Sequence, residues 1–273
     1  MKTAFKILPE FSAEKAYHLL AEAGRDGISL VWYSKEPLKI EGLFIYQSLK
    51  NTTDLTLAED LQKILAGENL PHYHSCRICY NFKESLLVPA EFYKEQNSSG
   101  LLDCMYGTMP GSRYFSETIN EIDATNIYRV PGEVHEALTN RFFAAQIIHS
   151  NSCLVPYTRQ KDLYCIVYNS YVKAILYIEE TPRLVQLYDY NTPSDVAYHL
   201  LNICAQHGLS ASAITLTLSG FIDEQSNLYA ELYRYFLNIS MDEIPEGMEV
   251  SDEIRSHPDH FFSFLIALAK CAS

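Results

Sequence analysis

The stretch that decides the fold covers residues 162–220 and reads DLYCIVYNSYVKAILYIEETPRLVQLYDYNTPSDVAYHLLNICAQHGLSASAITLTLSG. Its first half contains three short segments rich in aromatic and β-branched residues, at 164–168, 172–178 and 184–190. Their composition and their period of two predict three strands. Turn-forming residues separate the segments, at Asn169-Ser170 and at 179–182, so the three strands are expected to form a meander.

The second half of this stretch changes to a helical period. Thr192 fits an N-cap, Pro193 fits the first helical position, and Gly208 fits the stop. The apolar face of this predicted helix consists of Val196, Ala197, Leu200, Ile203 and Cys204. A further strand, 214–218, ends at Ser219-Gly220. A three-strand meander followed by a helix and a returning strand is typical of each lobe of the ribonuclease H-like, or actin-like, fold.

The N-terminal part of the chain repeats this order of elements. The segment 24–27, Gly-Arg-Asp-Gly, is a strong turn signal, and an alternating strand pattern follows it at 28–33. We predict a third strand at 40–47. Residues 16–23 fit the first strand, although Ser12 could also cap a helix over 13–20. The turn signal favours the strand.

The helix after this first meander supports the repeat. Thr56 is predicted to open it with a capping box, because Glu59 lies three residues later. Its apolar residues have the spacing found in the second helix: Leu57, Ala58, Leu61, Ile64 and Leu65. We therefore predict an α/β protein with a two-lobed actin-like ATPase (ribonuclease H-like) fold. Each lobe is a mixed sheet that starts with a three-strand meander and is flanked by helices.

The predicted lobes are residues 1–157 and 158–273. The closing helix, from Pro258, is expected to pack back on lobe I. The segment 97–118 is rich in glycine and serine, so we predict an irregular surface loop there.

Composition limits the classes of partner. The chain has 21 Lys and Arg against 34 Asp and Glu, a formal charge of -13, which is unfavourable for a protein that binds nucleic acid through phosphates. No apolar run is long enough to span a membrane. The seven cysteines are interpreted as buried thiols rather than a disulfide framework, and we expect the protein in the cytoplasm.

Three short motifs, in this order, resemble an uncharacterised bacterial family whose members are similar in fold to actin-like ATPases. The motifs are Leu-Val-Pro-Ala-Glu-Phe at 87–92, Ile-Ile-His-Ser at 147–150, and Leu-Thr-Leu-Ser-Gly at 216–220. The resemblance covers nearly the whole chain. The resemblance implies a fold but does not imply a biochemical activity.

The resemblance also implies where a nucleotide would bind. In actin-like ATPases a strand of each lobe carries Asp-x-Gly into a hairpin, where the glycine admits phosphate and the aspartate acts on Mg²⁺ or water. In the first lobe Glu22 stands in the aspartate position, with Gly24 as the glycine and Asp26 in the turn. In the second lobe the turn contains Asn169-Ser170, with neither acid nor glycine. The glycine pair that contacts adenine is reduced to Gly220, preceded by Ser219.

Other clusters of reactive residues are interpreted as structural. His72, His74, Cys76 and Cys79 could bind zinc, but no second ligand pair follows at finger spacing, so we expect no metal site. The segment 149–153, His-Ser-Asn-Ser-Cys, lacks a glycine turn that could form an oxyanion hole. We interpret it as a strand end near the lobe junction and expect no catalytic residue.

The leading hypothesis is a non-catalytic actin-like protein, a pseudo-ATPase, that binds a small ligand or a protein partner in the interlobe cleft. Its candidate residues are Glu22, Gly24, Asp26, Asn169, Ser170, Ser219 and Gly220. One alternative is an ATP- and Mg²⁺-dependent ATPase or kinase, and another is a structural assembly subunit. The sequence leaves the ligand, the partner and the oligomeric state open.

Overall fold

The computed structural model of this protein describes residues 1–8, 12, 15–49 and 53–273. These residues form two compact units. Unit 1 comprises Met1–Cys153, Gly247–Ile254 and Leu268–Ser273, and unit 2 comprises Leu154–Glu246 and Arg255–Ala267. The lobe limits predicted from the sequence remain a prediction.

Unit 1 is built on a mixed sheet that contains the predicted meander, which β1 (Lys2–Ile7), a strand not predicted from the sequence, precedes. The meander strands are β2 (Tyr17–Gly24), β3 (Gly27–Lys35) and β4 (Leu38–Gln47). The chain then forms α1 (Asp54–Gly67) and β5 (Ser75–Asn81). β2, β3 and β4 pair antiparallel, whereas β5 pairs parallel to β2. The strand prediction for 16–23 is confirmed from Tyr17 onward, and Ala13 and Glu14 lie outside the described residues.

The start of α1 corrects the predicted cap. Thr53, not Thr56, is the N-cap, because the Thr53 side chain accepts a hydrogen bond from the Thr56 backbone N–H at 3.2 Å. Thr53 has extended backbone angles, as an N-cap residue does. Four of the five predicted apolar residues, Leu57, Ala58, Leu61 and Leu65, are buried in the core, whereas Ile64 is only partly buried.

A smaller three-stranded sheet of unit 1 follows in the chain. Its elements are β6 (Ser85–Pro89), α2 (Ser98–Tyr106), β7 (Arg113–Ile119) and β8 (Ala124–Val130), with β8 in the centre. The loop predicted at 97–118 is therefore wrong, since it contains a helix and a strand. Leu102 anchors α2 in the core, and Gly107 ends it with φ 76°. Ser98, Ser99 and Gly100 therefore lie inside α2, and Gly107 lies at its end.

The remaining elements of this part are α3 (Gly132–Arg141), β9 (Gln146–His149) and α4 (Ser150–Tyr157). β9 pairs parallel to β5 and extends the main sheet in the order β1-β4-β3-β2-β5-β9. The carboxyl ends of β2, β5 and β9 therefore lie at one edge of this sheet.

Unit 2 repeats the arrangement. It contains β10 (Leu163–Val167), β11 (Tyr171–Ile178), β12 (Thr181–Asp189), α5 (Pro193–Gln206), β13 (Thr215–Gly220), α6 (Asn227–Tyr233) and β14 (Asn238–Met241). The sheet order is β12-β11-β10-β13-β14, with β13 parallel to β10 and β14 parallel to β13. Thr192 caps α5 in a capping box with Asp195. The predicted strands and helix of this half are confirmed.

The C-terminal segment contributes to both units, since Gly247–Ile254 and Leu268–Ser273 belong to unit 1 and Arg255–Ala267 belongs to unit 2. β15 (Glu249–Val250) pairs with β4, a short helix α7 (Asp252–Arg255) follows, and α8 (Ser263–Ala272) ends the chain. Tyr33 on β3 donates a hydrogen bond to the Ala272 carbonyl at 3.0 Å. Among the described residues, no helix is long and apolar enough to cross a membrane.

Cysteine pairing corrects one expectation. Cys153 on α4 and Cys271 on α8 form a disulfide within unit 1. Cys76, Cys79, Cys165 and Cys204 are buried and form no disulfide, as expected, and Cys104 is exposed and forms no disulfide. The interpretation as unpaired thiols is thus wrong for one pair.

We expect the Cys153–Cys271 bond to stabilise unit 1, because it closes a segment of 118 residues. Cys271→Ser should lower the free energy of unfolding by about 2–4 kcal/mol, or roughly 5–10 °C in Tm. Calorimetry under non-reducing conditions measures this, with the exposed Cys104→Ser as the control. Equal melting temperatures for the two variants, or a wild-type Tm that reductant leaves unchanged, would contradict the prediction.

Candidate functional site

Three candidate residues lie on the β2–β3 hairpin of unit 1. Glu22 is on β2 and only 4% exposed. Gly24 pairs with Gly27 across the hairpin and lies opposite Asn81 of β5. Asp26 is in the turn, where its carbonyl accepts a hydrogen bond from the Ser48 N–H at 2.7 Å. The parallel pairing of β2 with β5 therefore brings Asn81 to the hairpin.

The Glu22 carboxylate is engaged by this asparagine. Asn81 Nδ2 donates to Glu22 Oε1 at 2.8 Å, and Asn81 Oδ1 accepts from Ser150 Oγ at 2.9 Å. Asn81 and Ser150 are fully buried. Buried polar groups need such partners, since an unmet hydrogen bond costs about 1–3 kcal/mol. Glu22 is thus part of the polar interior of unit 1.

A second set of hydrogen bonds starts at Asn151, the next residue of α4, and reaches the small sheet. Asn151 Nδ2 donates to Ser85 Oγ at 3.0 Å, and Ser85 Oγ donates to Asn126 Oδ1 at 2.6 Å. Asn126 Nδ2 donates to Ser152 Oγ at 3.1 Å. We call these four residues, together with Glu22, Asn81 and Ser150, the unit 1 polar network.

A second carboxyl group borders this network. The Glu117 carboxylate accepts hydrogen bonds from the Tyr128 hydroxyl and from the His149 backbone N–H, the latter at 3.2 Å. Burial raises the pKa of Glu117 above its usual range. The His149 ring is fully buried, with Nδ1 accepting from the Asn151 N–H at 3.1 Å. Segment 149–152 therefore supplies hydrogen-bond partners both to the unit 1 polar network and to Glu117.

Sequence reasoning missed most of this network. The segment 149–153 was interpreted as a strand end, and β9 does end at His149. Asn81, Ser85 and Asn126 gave no signal, because single amides and hydroxyls at strand ends are common. The parallel pairing of β5 with β2 and β9 brings Asn81 to Glu22 and to the start of α4, and the antiparallel pairing of β6 with β8 brings Ser85 near Asn126.

The unit 2 hairpin has a different chemistry. Asn169 and Ser170 form the turn between β10 and β11 and are half-buried. The rings of Tyr168 and Tyr171, which flank them, are stacked with centroids 4.6 Å apart. The Ser170 carbonyl accepts from the Tyr190 N–H at 3.1 Å. The turn is thus flanked by aromatic rings.

Ser219 and Gly220 lie at the end of β13, beside this hairpin. Ser219 is fully buried, and its hydroxyl is 2.7 Å from the Ser263 hydroxyl and 3.2 Å from the His260 carbonyl, to which it donates. Gly220 has φ 85°, and a Cβ there would lie 2.4 Å from the Val167 carbonyl oxygen. These contacts within the protein explain why serine and glycine occupy these two positions, and no ligand is needed for that explanation.

The seven candidate residues thus divide between the units, three in unit 1 and four in unit 2. Within each unit they lie at the hairpin that begins the meander or at the end of a neighbouring parallel strand. Among the described residues, no three His, Cys, Asp or Glu side chains are grouped so that they could hold a metal ion. A site shared by all seven remains a prediction.

Comparison with known proteins identifies the family. The chain belongs to DUF3822, a family of proteins of unknown function. The family model matches residues 9–239. No curated protein matches the sequence.

Solved structures share the fold. A Bacteroides thetaiotaomicron VPI-5482 protein with an actin-like ATPase fold and unknown function is 16% identical, with 97% of this chain and 99% of that chain covered and a TM-score of 0.78. A chain of the PilM-PilN type IV pilus biogenesis complex is 11% identical, with coverages of 95% and 99% and a TM-score of 0.59. The ethanolamine utilization protein EutJ from Carboxydothermus hydrogenoformans is 6% identical, with coverages of 96% and 91% and a TM-score of 0.50. The predicted actin-like fold is confirmed.

Asn81→Asp tests the unit 1 polar network. The substitution replaces an amide donor with a second carboxylate beside Glu22, so we expect a loss of about 3 kcal/mol of unfolding free energy at pH 8. Two adjacent carboxylates raise the pKa of the pair above the unfolded value of about 4, so the loss should be smaller at pH 5. Urea unfolding at both pH values measures this. Asn120→Asp at an exposed position is the control, and equal losses at pH 8 would contradict the prediction.

Gly220→Ala tests whether this glycine is needed by the fold itself. The new Cβ would meet the Val167 carbonyl in a left-handed backbone, whereas Gly208, at φ 67°, has open space around its Cβ position. We expect Gly208→Ala to cost about 1 kcal/mol, from backbone strain alone, and Gly220→Ala at least twice as much. Denaturant unfolding compares the two variants. If they lose the same stability, the close contact of Gly220 with Val167 is not the constraint.

Proposed function

We propose that this protein is a non-catalytic member of the actin-like fold that binds a small ligand or a protein partner and does not transfer phosphoryl groups. One observation carries the proposal. Glu22, in the position of the aspartate that acts on Mg²⁺ or water, is 4% exposed and hydrogen-bonded to Asn81. Phosphoryl transfer depends on positioned charges and metal ligands, and a carboxylate held in a polar interior is poorly placed to supply them.

The unit 2 hairpin supports the same proposal. A phosphate-binding turn needs accessible backbone N–H groups, for which glycine is suited. Here Asn169 and Ser170 carry side chains, and Tyr168 and Tyr171 stack beside them. The hydroxyl of Ser219 is already hydrogen-bonded to residues of unit 2. Ser219, a residue predicted to contact a nucleotide, therefore has contacts within unit 2 instead.

A protein partner is the second candidate ligand, and an exposed apolar face favours it. Leu101 and Met105 lie one turn apart on α2 and are 41% and 63% exposed. Neighbouring exposed apolar side chains of this kind suit a protein–protein contact site. The similarity to a chain of the PilM-PilN complex is consistent with a partner-binding role for the fold.

The cytoplasmic location expected from the sequence is part of this proposal. Four buried cysteines that form no disulfide support a reducing compartment, whereas the Cys153–Cys271 disulfide does not. The formal charge of -13 argues against nucleic acid as the partner.

Thermal unfolding with Mg-ATP tests the proposal against an ATPase or kinase. A ligand at a hundred times its Kd stabilises a protein by ~2.7 kcal/mol, which at this size raises Tm by roughly 5–10 °C. We expect no magnesium-dependent shift with millimolar ATP. AMP, a sugar phosphate and EDTA are the comparisons.

Glu22→Gln provides the matched variant, because glutamine keeps an oxygen that can accept from Asn81. If wild type shows a magnesium-dependent shift with ATP and Glu22→Gln loses it, the protein uses Glu22 for nucleotide and the non-catalytic proposal is wrong.

A further inference from the structure

The strand β12 lies at one edge of the unit 2 sheet, and one of its two sides has no neighbouring strand. It pairs antiparallel with β11, and no other strand that the structure describes pairs with it. β12 is nine residues long, whereas β14, at the opposite edge, has four. An open strand edge presents a row of unpaired backbone N–H and C=O groups to other chains.

The pairing with β11 shows which backbone groups of β12 point to the open side. The Tyr190 N–H donates to the Ser170 carbonyl at 3.1 Å, so the backbone groups of residue 190 point toward β11. Because these groups alternate along an antiparallel strand, the N–H and C=O of Val185 and Leu187 point to the open side. The Gln186 side-chain amide donates to the Leu187 carbonyl, at the long distance of 3.5 Å. The open side therefore has backbone groups available for another strand.

The middle of β12 lacks the features that usually protect an edge strand. Residues 184–188 read Leu-Val-Gln-Leu-Tyr and are all partly exposed. Protection normally comes from charged residues, proline or a β-bulge. Here the proline, Pro182, and the irregular pairing beside it lie before residues 184–188. An apolar edge without these features is suited to pairing with another strand.

The sequence of β12 is complementary to itself when two copies run antiparallel with Gln186 at the centre. The facing pairs then join apolar residues to apolar residues and a base to an acid. They are Gln186 with itself, Leu184 with Tyr188, Val185 with Leu187, and Arg183 with Asp189. Apolar and oppositely charged pairs across two strands are stabilising. Arg183 is exposed and forms no ion pair with any residue that the structure describes.

Neighbouring registers lack this complementarity. Antiparallel pairing joins the outward-pointing residues of the two copies to one another, so the register changes in steps of two residues. One step in either direction places a charged residue opposite an apolar one, Arg183 opposite Leu187 or Asp189 opposite Val185. The register centred on Gln186 is therefore the favoured one.

Aromatic rings extend the exposed surface from β12 onto α5. The His199 ring stacks on the Tyr188 ring, with centroids 4.5 Å apart, and the Tyr198 ring lies 5.6 Å from the His199 ring. Tyr198 is 65% exposed. Tyrosine is enriched in protein–protein interfaces. The strand and the neighbouring helix thus offer a continuous apolar and aromatic surface.

We propose that β12 pairs antiparallel with β12 of a second copy of this chain, so that the two unit 2 sheets join into one sheet across a two-fold axis at Gln186. The backbone groups of Val185 in each copy hydrogen-bond with those of Leu187 in the other. The charges of Arg183 and Asp189 attract each other at both ends of the contact. Such an interface uses the same surface of both copies and closes at the dimer.

Sedimentation velocity of the full chain across the micromolar range tests the proposal. We expect a reversible equilibrium between monomer and dimer, without larger species, because a two-fold interface is closed. A Cys104→Ser background is used, since this exposed cysteine can form a disulfide between copies. A monomer at every concentration would overturn the proposal and leave the edge to a strand of a different protein. Species that grow beyond the dimer would also overturn it.

Substitutions of Gln186 test the position of the axis. Gln186→Lys and Gln186→Glu each place like charges opposite each other, so each variant alone should dimerise about tenfold more weakly. An equimolar mixture of the two should recover the wild-type affinity as a heterodimer. Gln206→Lys, at an exposed position near the end of α5, is the matched control and should change the Kd by less than about twofold. Weakening that the mixture does not reverse would contradict an axis at Gln186.

A charge exchange at the ends of β12 tests the register. Arg183→Asp leaves acids facing acids, and Asp189→Arg leaves bases facing bases, so each variant alone should dimerise more weakly than wild type. In a mixture of the two variants every facing pair is again oppositely charged, and dimerisation should recover. Because mixing cannot repair a misfolded chain, recovery separates a lost contact from a lost fold. If the mixture dimerises no better than either variant alone, the assigned register is wrong.

Discussion

The parallel pairing of the first meander strand with the strand after the first helix determines most of this structure. In unit 1 it joins β2 to β5, and in unit 2 it joins β10 to β13. A parallel pair requires a crossover, which α1 and α5 provide, and their apolar faces cover the sheets. The pairing also sets the chemistry at the hairpin, since the end of the returning strand lies directly beside it.

The two units use that position differently. In unit 1 the register places Asn81 opposite Gly24, and its amide connects Glu22 to Ser150. In unit 2 the register places Gly220 opposite Val167, where no side chain fits. The same topology therefore gives a buried polar network in one unit and close backbone packing in the other. A buried network is stabilising only when every member is satisfied, so the side chains of unit 1 constrain one another.

The sequence predicted the elements whose signals are local. Period-two strands, the Thr192 cap and the stop at Gly208 depend on neighbouring residues, and they identified the repeat and hence the fold. The incorrect predictions concern features that depend on contacts between residues far apart in the sequence. Leu102 holds α2 in the core of a segment whose composition indicates a loop, and the Cys153–Cys271 pair forms across 118 residues. The partners of Glu22 were unpredictable for the same reason, since Asn81 and Ser150 are 59 and 128 positions away.

Electrostatics connects the altered hairpins with an acidic cavity of unit 2. Mg-ATP keeps a net negative charge, so a protein that binds it must supply local positive charge or backbone N–H groups. Unit 2 instead has a hairpin without glycine and a cavity lined by four exposed acids, Asp223, Glu224, Glu243 and Asp259. Because salt screens charges beyond about 8 Å, the local set matters more than the total of -13. This distribution of charge is unfavourable for a phosphate ligand in unit 2, which agrees with the non-catalytic function proposed above.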